Sequence, residues 1–221
     1  MSDTPFAPLE TEIDRETALG ILREATAGAD DGEIFFERHR SESLVFDDGR
    51  LKTASYDAAQ GFGLRAVRGE VAGYAHSTEI NESALRRAAE TARLAVGDGG
   101  GTLADAPQAT NRSLYTDLDP IAGNSFSVKI DTLKEIDAYL RELDSRVVQV
   151  SATVAASLQE VEILRPEGQS VRDTRPMTRL NISVIVEHAG RRESGSVGGG
   201  GRLGLDGLIC LLYTSPSPRD S

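Results

Sequence analysis

The dipeptide Asp48-Gly49 constrains the fold of this chain more than any other two residues. It stands between two apolar runs, Leu44-Val45-Phe46 and Leu51–Tyr56. A two-residue type I′ turn needs positive φ at both central positions, and Asp-Gly accepts that conformation at low cost. The chain is therefore expected to reverse there as an antiparallel hairpin, with Ile34, Phe36 and His39 on a strand leading into it. A second hairpin, Gly61–Val67 with Val71–Ala75, closes around Arg68-Gly69-Glu70. Together they read as a β-meander.

Helical periods flank the meander. Asp14 is placed to cap a helix running to about Ala27, with Ala18, Leu19, Leu22 and Ala25 as its apolar stripe and Gly28 at the C′ position. Asn81 caps Glu82–Val96, whose buried face is Ala84, Leu85, Ala88, Ala89, Ala92 and Ala95; Gly97 ends it. A third helix is expected over about Lys129–Leu143, from Ile130, Leu133, Ile136, Ala138, Leu140 and Leu143. Strands follow at Val147–Ala155, Leu158–Leu164, about Arg179–Glu187 and Arg191–Val197, with a turn at Pro166-Glu167-Gly168.

The fold class expected is α+β, as two helix-plus-antiparallel-meander subdomains. Each block has a helix, a strand, a hairpin closed by an acidic residue and Gly, and two more strands, which reads as a weak internal duplication. The boundaries expected are a loose arm over 1–11, a first subdomain over 12–97, a linker or long loop over 98–127 and a second subdomain over 128–207. A tail of different composition occupies 208–221.

Charge and composition exclude several functions. The net charge of −11 argues against a nucleic-acid surface, which needs clustered Lys and Arg, and disfavours adhesion to anionic lipid. No window approaches the ~20 apolar residues of a membrane span. The N-terminus is polar and acidic, without the apolar core of a secretory signal, so the expected location is the cytoplasm. A single cysteine, Cys210, excludes an internal disulfide.

Few residues present themselves for chemistry. A zinc peptidase needs neutral His or anionic ligands converging on one point, with a Glu as general base. None of His39, His76 and His188 belongs to a His-Glu-x-x-His or His-Glu-x-x-x-His string. Each reads as a strand-end or surface residue. Ser41-Glu42-Ser43 offers hydroxyls beside a carboxylate, without a partner histidine, and reads as an exposed strand face. Phe35 and Phe36 read as packing residues. Arg65 and Arg68 read as solvated partners of Glu70 or Asp57. Gly199–Gly204 formally satisfies G-x-G-x-x-G, but a dinucleotide fingerprint opens a helix. The sequence after Gly204 predicts none.

Two segments carry a family resemblance: Phe35–Ser77, FFERHRSESLVFDDGRLKTASYDAAQGFGLRAVRGEVAGYAHS, and Glu187–Gly204, EHAGRRESGSVGGGGRLG. Together they resemble the amino-terminal half of the TldD/PmbA family of zinc metallopeptidases, over roughly residues 12–207. The resemblance implies a parent enzyme that degrades or trims unstructured peptides as a heterodimer with a PmbA-like paralogous subunit. It places the zinc motif, His-Glu-x-x-x-His, and a later cysteine ligand beyond this sequence, so no metal or catalytic residue is expected here. It also implies that Arg191, Arg192, Gly195, Gly199, Gly200, Gly201 and Arg202 line a path toward the active site. TldD-like sequences tend to carry Arg where His39 stands, which fits a non-ligand.

The segment Leu208–Ser221, LICLLYTSPSPRDS, breaks this pattern. CLLYTSPSPRDS reads as translated sequencing adapter, which puts the native end near Gly207; the other reading is a disordered tail. Either way Cys210 is expected to take no part in a zinc site. The functional expectation is an inactive N-terminal portion of a TldD-like peptidase, with a non-catalytic peptide-binding or subunit-interaction module as the alternative.

Overall fold

The structure, a computed structural model, describes residues 6–97 and 116–214, with side chains to residue 209. In chain order the helices are α1 (Pro8–Thr11), α2 (Arg15–Ala25), α3 (Glu82–Val96), α4 (Phe126–Leu143) and α5 (Leu205–Thr214). The strands are β1 (Asp31–Asp47), β2 (Arg50–Arg68), β3 (Val71–Ser77), β4 (Val147–Leu164), β5 (Ser170–His188) and β6 (Arg191–Gly201). The six strands form one antiparallel sheet in the order β3-β2-β1-β4-β5-β6, and the fold class is α+β. Helix, three strands, helix occurs twice, as α2–β1–β2–β3–α3 and α4–β4–β5–β6–α5. That is a likeness of order, which by itself does not make the halves copies of one another.

The strands are fewer and longer than the sequence predicts. Leu51–Tyr56 and Gly61–Val67 lie on one strand, β2, and Val147–Ala155 and Leu158–Leu164 on one strand, β4. Apolar alternation reports which side chains are buried, whereas strand continuity depends on backbone pairing. In β2 every residue from Arg50 to Gln60 is exposed, so the pattern fades while the strand continues. The turns follow their chemistry: φ is +49° at Asp48 and +74° at Gly49, the I′ conformation. Ala189 (φ +49°) and Gly190 (φ +76°) make a further such turn, unread because Ala is a poor signal for it.

The chain divides into two compact units that do not follow chain order. The first comprises Met1–His39, Ala59–Arg112 and Gln159–Thr174; the second comprises Arg40–Ala58, Ser113–Leu158 and Arg175–Ser221. β1, β2, β4 and β5 thus each contribute residues to both units.

In the first unit the buried cluster joins α1, α2 and α3 to the sheet through Leu9, Leu19, Leu22, Ile34, Phe36, Leu64 and Leu85. Asp14 Oδ2 accepts from the Thr17 amide, and Asn81 Oδ1 from the Ala84 amide, which settles both N-caps. The alanine face of α3 lets β3 approach closely: a Cβ on Gly73 would lie 2.1 Å from the Ala92 carbonyl oxygen. The expected loose arm is in part structured, since residues 8–11 are helical and Phe6 and Leu9 are buried. Leu9 N donates to Glu162, itself 1% exposed, so the arm is held by a buried carboxylate that apolar periodicity does not reveal.

In the second unit Leu44, Phe46, Leu133, Ile136, Val154, Leu180, Leu205 and Leu208 form the core. α4 begins at Phe126, three residues earlier than predicted, because Ser125 caps it. A helix does follow Gly204, contrary to the sequence reading: Leu205 and Leu208, three positions apart, bury one face of α5. Residues 208–214 of the segment of unlike composition lie on α5. The Cys210 side chain, and residues 98–115 of the linker expected over 98–127, lie outside the described residues. No described helix is long and apolar enough to cross a membrane.

Candidate functional site

Two of the three histidines share one site. His39 on β1 and His76 on β3 both line a cleft of about 250 Å³ in the first unit, with Glu37, Phe35, Phe62 and Tyr74. They sit on alternate strand positions facing away from the helices, which is why their distance in sequence gives no hint of it. The rings of Tyr74 and His76 stack at 5.8 Å, and Tyr74 lies over Gly63, whose hypothetical Cβ would meet the phenol oxygen at 2.5 Å. The cleft has acid, imidazole and phenol groups, but its donors do not make a metal centre. Among the described residues no three His, Cys, Asp or Glu side chains are grouped closely enough to hold a metal ion. His188 stands apart, exposed at the end of β5 beside the Ala189-Gly190 turn.

Ion pairs absorb several residues that the sequence leaves open. Arg65 does not pair with Glu70 or Asp57. It reaches Asp31 at 2.9 Å and Glu33 at 3.2 Å on β1, because on one sheet face its neighbours are cross-strand residues. Arg165 joins the same two carboxylates at 2.7 and 3.4 Å. Arg68 donates to the Gly97 carbonyl at the end of α3. Glu42, in the Ser41-Glu42-Ser43 string, accepts from the buried Lys129. Its role is a charge partner across the unit, a role the sequence reading missed. Buried Lys is rare unless paired, and Lys129 within an amphipathic helix is the one signal that pointed there.

Perturbed acidity lies away from the clefts. The Arg146 guanidinium and backbone amide hydrogen-bond Asp144 and hold its carboxyl down at about 2. Hydrogen bonds from the Thr17 amide and hydroxyl lower Asp14. Hydrogen bonding to Asp137, and then to Asp48, raises Arg141; bonding to Glu10, and then to Glu162, raises Arg172. These are structural pairs at helix ends and strand edges.

The glycine region forms β6, the sheet edge. Its register on β5 runs from His188↔Arg191 to Thr178↔Gly201, with Leu180↔Gly199 and Arg179↔Gly200 between. Arg191 pairs with Glu193 and Arg192 with Glu187, both exposed. Gly195 and Gly199 face open space, whereas a Cβ at Gly198 would meet Asn181 Oδ1 at 2.4 Å and one at Gly200 the Thr178 carbonyl at 2.9 Å. None of Gly195 to Gly204 has positive φ. α5 does open after the G-x-G-x-x-G string. Even so, β6 is antiparallel to its neighbour and its glycines serve the ladder, whereas a dinucleotide site uses a parallel strand feeding a helix. Arg202 follows, half-buried, on the connection to α5.

Comparison with known proteins matches this arrangement. Residues 32–96 match the family model "PmbA/TldA metallopeptidase domain 1", and residues 119–219 match "PmbA/TldA metallopeptidase central domain". The second range runs into the segment of unlike composition. The Metalloprotease TldD homolog of Haemophilus influenzae is 37% identical over 211 residues, 93% of this chain and 43% of that protein. That of Buchnera aphidicola from Acyrthosiphon pisum is 32% identical over 190 residues, 86% of this chain and 39% of the homolog. The crystal structure of TldE from Thermococcus kodakarensis superposes with a TM-score of 0.68 at 15% identity, covering 87% of this chain and 45% of that one. The chain thus spans about two fifths of the curated relatives it matches. Two consecutive family domains, in order and on the matching fold, place this chain in the PmbA/TldD metallopeptidase family.

Proposed function

We propose that this chain is the non-catalytic scaffold portion of a TldD-like zinc peptidase that degrades or trims unstructured peptides in the cytoplasm. The supporting observation is the pair of consecutive family domains, together with a donor set that offers no ligand cluster among the described residues. The described residues do not fit zinc, so no step of peptide hydrolysis is assigned to them. In this reading Arg191, Arg192, Gly195, Gly199, Gly200, Gly201 and Arg202 line the approach to an active site supplied by sequence beyond this chain. The partner is a PmbA-like paralogous subunit. The test is elemental analysis and a peptidase assay on the purified chain, alone and mixed with a PmbA-like subunit. Co-elution without zinc or activity supports the reading; stoichiometric zinc, or hydrolysis that a chelator stops, overturns it.

A second reading, an interaction module, is favoured by one feature of β2. Pairing with β3 begins only at Phe62↔Ser77, so the edge from Arg50 to Gly61 is not covered by β3, and Leu51 and Tyr56 are exposed on it. Such an edge accepts an added strand. Placing proline at Thr53 or Ser55 should abolish partner capture if this edge is used, and leave it intact if the edge is not.

A further inference from the structure

We infer that the groove beside β6 in the second unit is a carboxylate-binding subsite that takes the C-terminal end of an extended peptide. The groove holds about 310 Å³ and is lined by Ser151 and Thr153 of β4, Arg179, Asn181 and Ser183 of β5, and Ser196 of β6. None of its lining residues is acidic, in a chain with 35 acidic and 24 basic residues.

Arg179 is the only charged group there, and among the described residues no carboxylate lies within ion-pair distance of it. Its Nε donates to Asn181 Oδ1 at 3.0 Å, which steadies the guanidinium and leaves its remaining donors for a ligand. Gly198 and Gly200 stand opposite Asn181 and Arg179 across the ladder. The edge strand therefore carries no side chain over these two residues. Along β5 the cation sits at one end of the row and neutral amide and hydroxyl groups occupy the rest. A chain terminus has the same layout, one carboxylate at the end of a run of uncharged peptide groups. Arginine suits it because its planar fork matches a carboxylate bidentately.

That the ligand is a peptide rests on the proposed function; the preference for a carboxylate rests on the groove alone. The test needs neither metal nor partner subunit, so it can fail while the peptidase reading stands, and the reverse.

The 221-residue chain is titrated at 0.15 M salt with three N-acetylated six-residue Ala/Ser peptides. One has a free C-terminus, one a C-terminal amide, and one an amide with a glutamate in the middle. At this ionic strength charges beyond about 8 Å are screened, so the net negative charge does not mask the site. The free acid should bind at least tenfold more tightly than the amide. Arg179→Gln should erase that ratio and Arg179→Lys should keep part of it, both with unchanged melting temperature. Equal binding of acid and amide, no binding of either, or a ratio that survives Arg179→Gln overturns the inference. Binding of the glutamate peptide equal to that of the free acid overturns the assignment to a chain terminus.

Discussion

Lys129 Nζ donates to Glu42 Oε1 at 2.5 Å and to the Ile121 carbonyl at 2.6 Å, which joins α4, β1 and the connection before α4 at one buried point. An ammonium taken out of water is tolerated only when charge and hydrogen bonds replace its hydration. Removing one partner leaves the other charge buried and unpaired. Lys129→Met should therefore lower unfolding free energy by about 3–5 kcal/mol in a urea titration, and adding Glu42→Leu should recover part of the loss. A double variant as unstable as the sum of both singles would show that the pair does not act as a unit.

Glu162 accepts from the Leu9 amide at 3.4 Å, from Ser170 Oγ at 2.9 Å and from Arg172 Nε at 3.0 Å. Glu162→Ala removes the acceptor of three donors and should cost about 2–4 kcal/mol. Hydrogen exchange at Leu9 should rise more than at Leu22, whose amide is held within α2. Equal acceleration at both would mean global loss rather than release of the N-terminal segment.

Two glycine substitutions should separate close packing from empty space. Gly73→Ala drives a Cβ into the Ala92 carbonyl and should destabilise by at least 1–3 kcal/mol, roughly the cost of overpacking. Gly195→Ala has nothing within 4 Å and ordinary φ, so it should stay within about 0.5 kcal/mol of the parent. Thermal melts of the two variants decide it.

The Asp144 carboxyl should titrate near 2 by NMR, and Arg146→Ala should bring it back toward 3.8. The sign follows from linkage: a carboxyl lowered in the folded state contributes stability that is present above about 3.8 and is lost as pH falls toward 2. Asp144 is half-buried beside an exposed Arg146, so salt should weaken the effect. An unchanged midpoint in Arg146→Ala would remove the pair as its cause.

Much of the scaffold is readable locally. Asp14, Asn81 and Asp48-Gly49 act through bonds to residues within three or four positions, so their caps and turn depend little on the rest of the chain. Strand extent and the short helix of the arm are less readable, because strand continuity depends on backbone pairing rather than on the apolar pattern, and Leu9 is held by Glu162, at a sequence separation of 153. The site shows the same division. The glycine run on β6 is visible in the letters, while the groove beside it combines β4, β5 and β6 and has no signature in any one of them.

The sequence by itself determined the family, the α+β class, the starts of α2 and α3 and the reversal at Asp48, since each depends on short-range chemistry or on a run of letters. Only the tertiary structure decided that His39 and His76 line one cleft, that Glu42 is consumed by Lys129, and that Arg179 faces a groove without an acid. Those outcomes depend on strand order and register, which bring distant residues onto one face and which no local preference encodes.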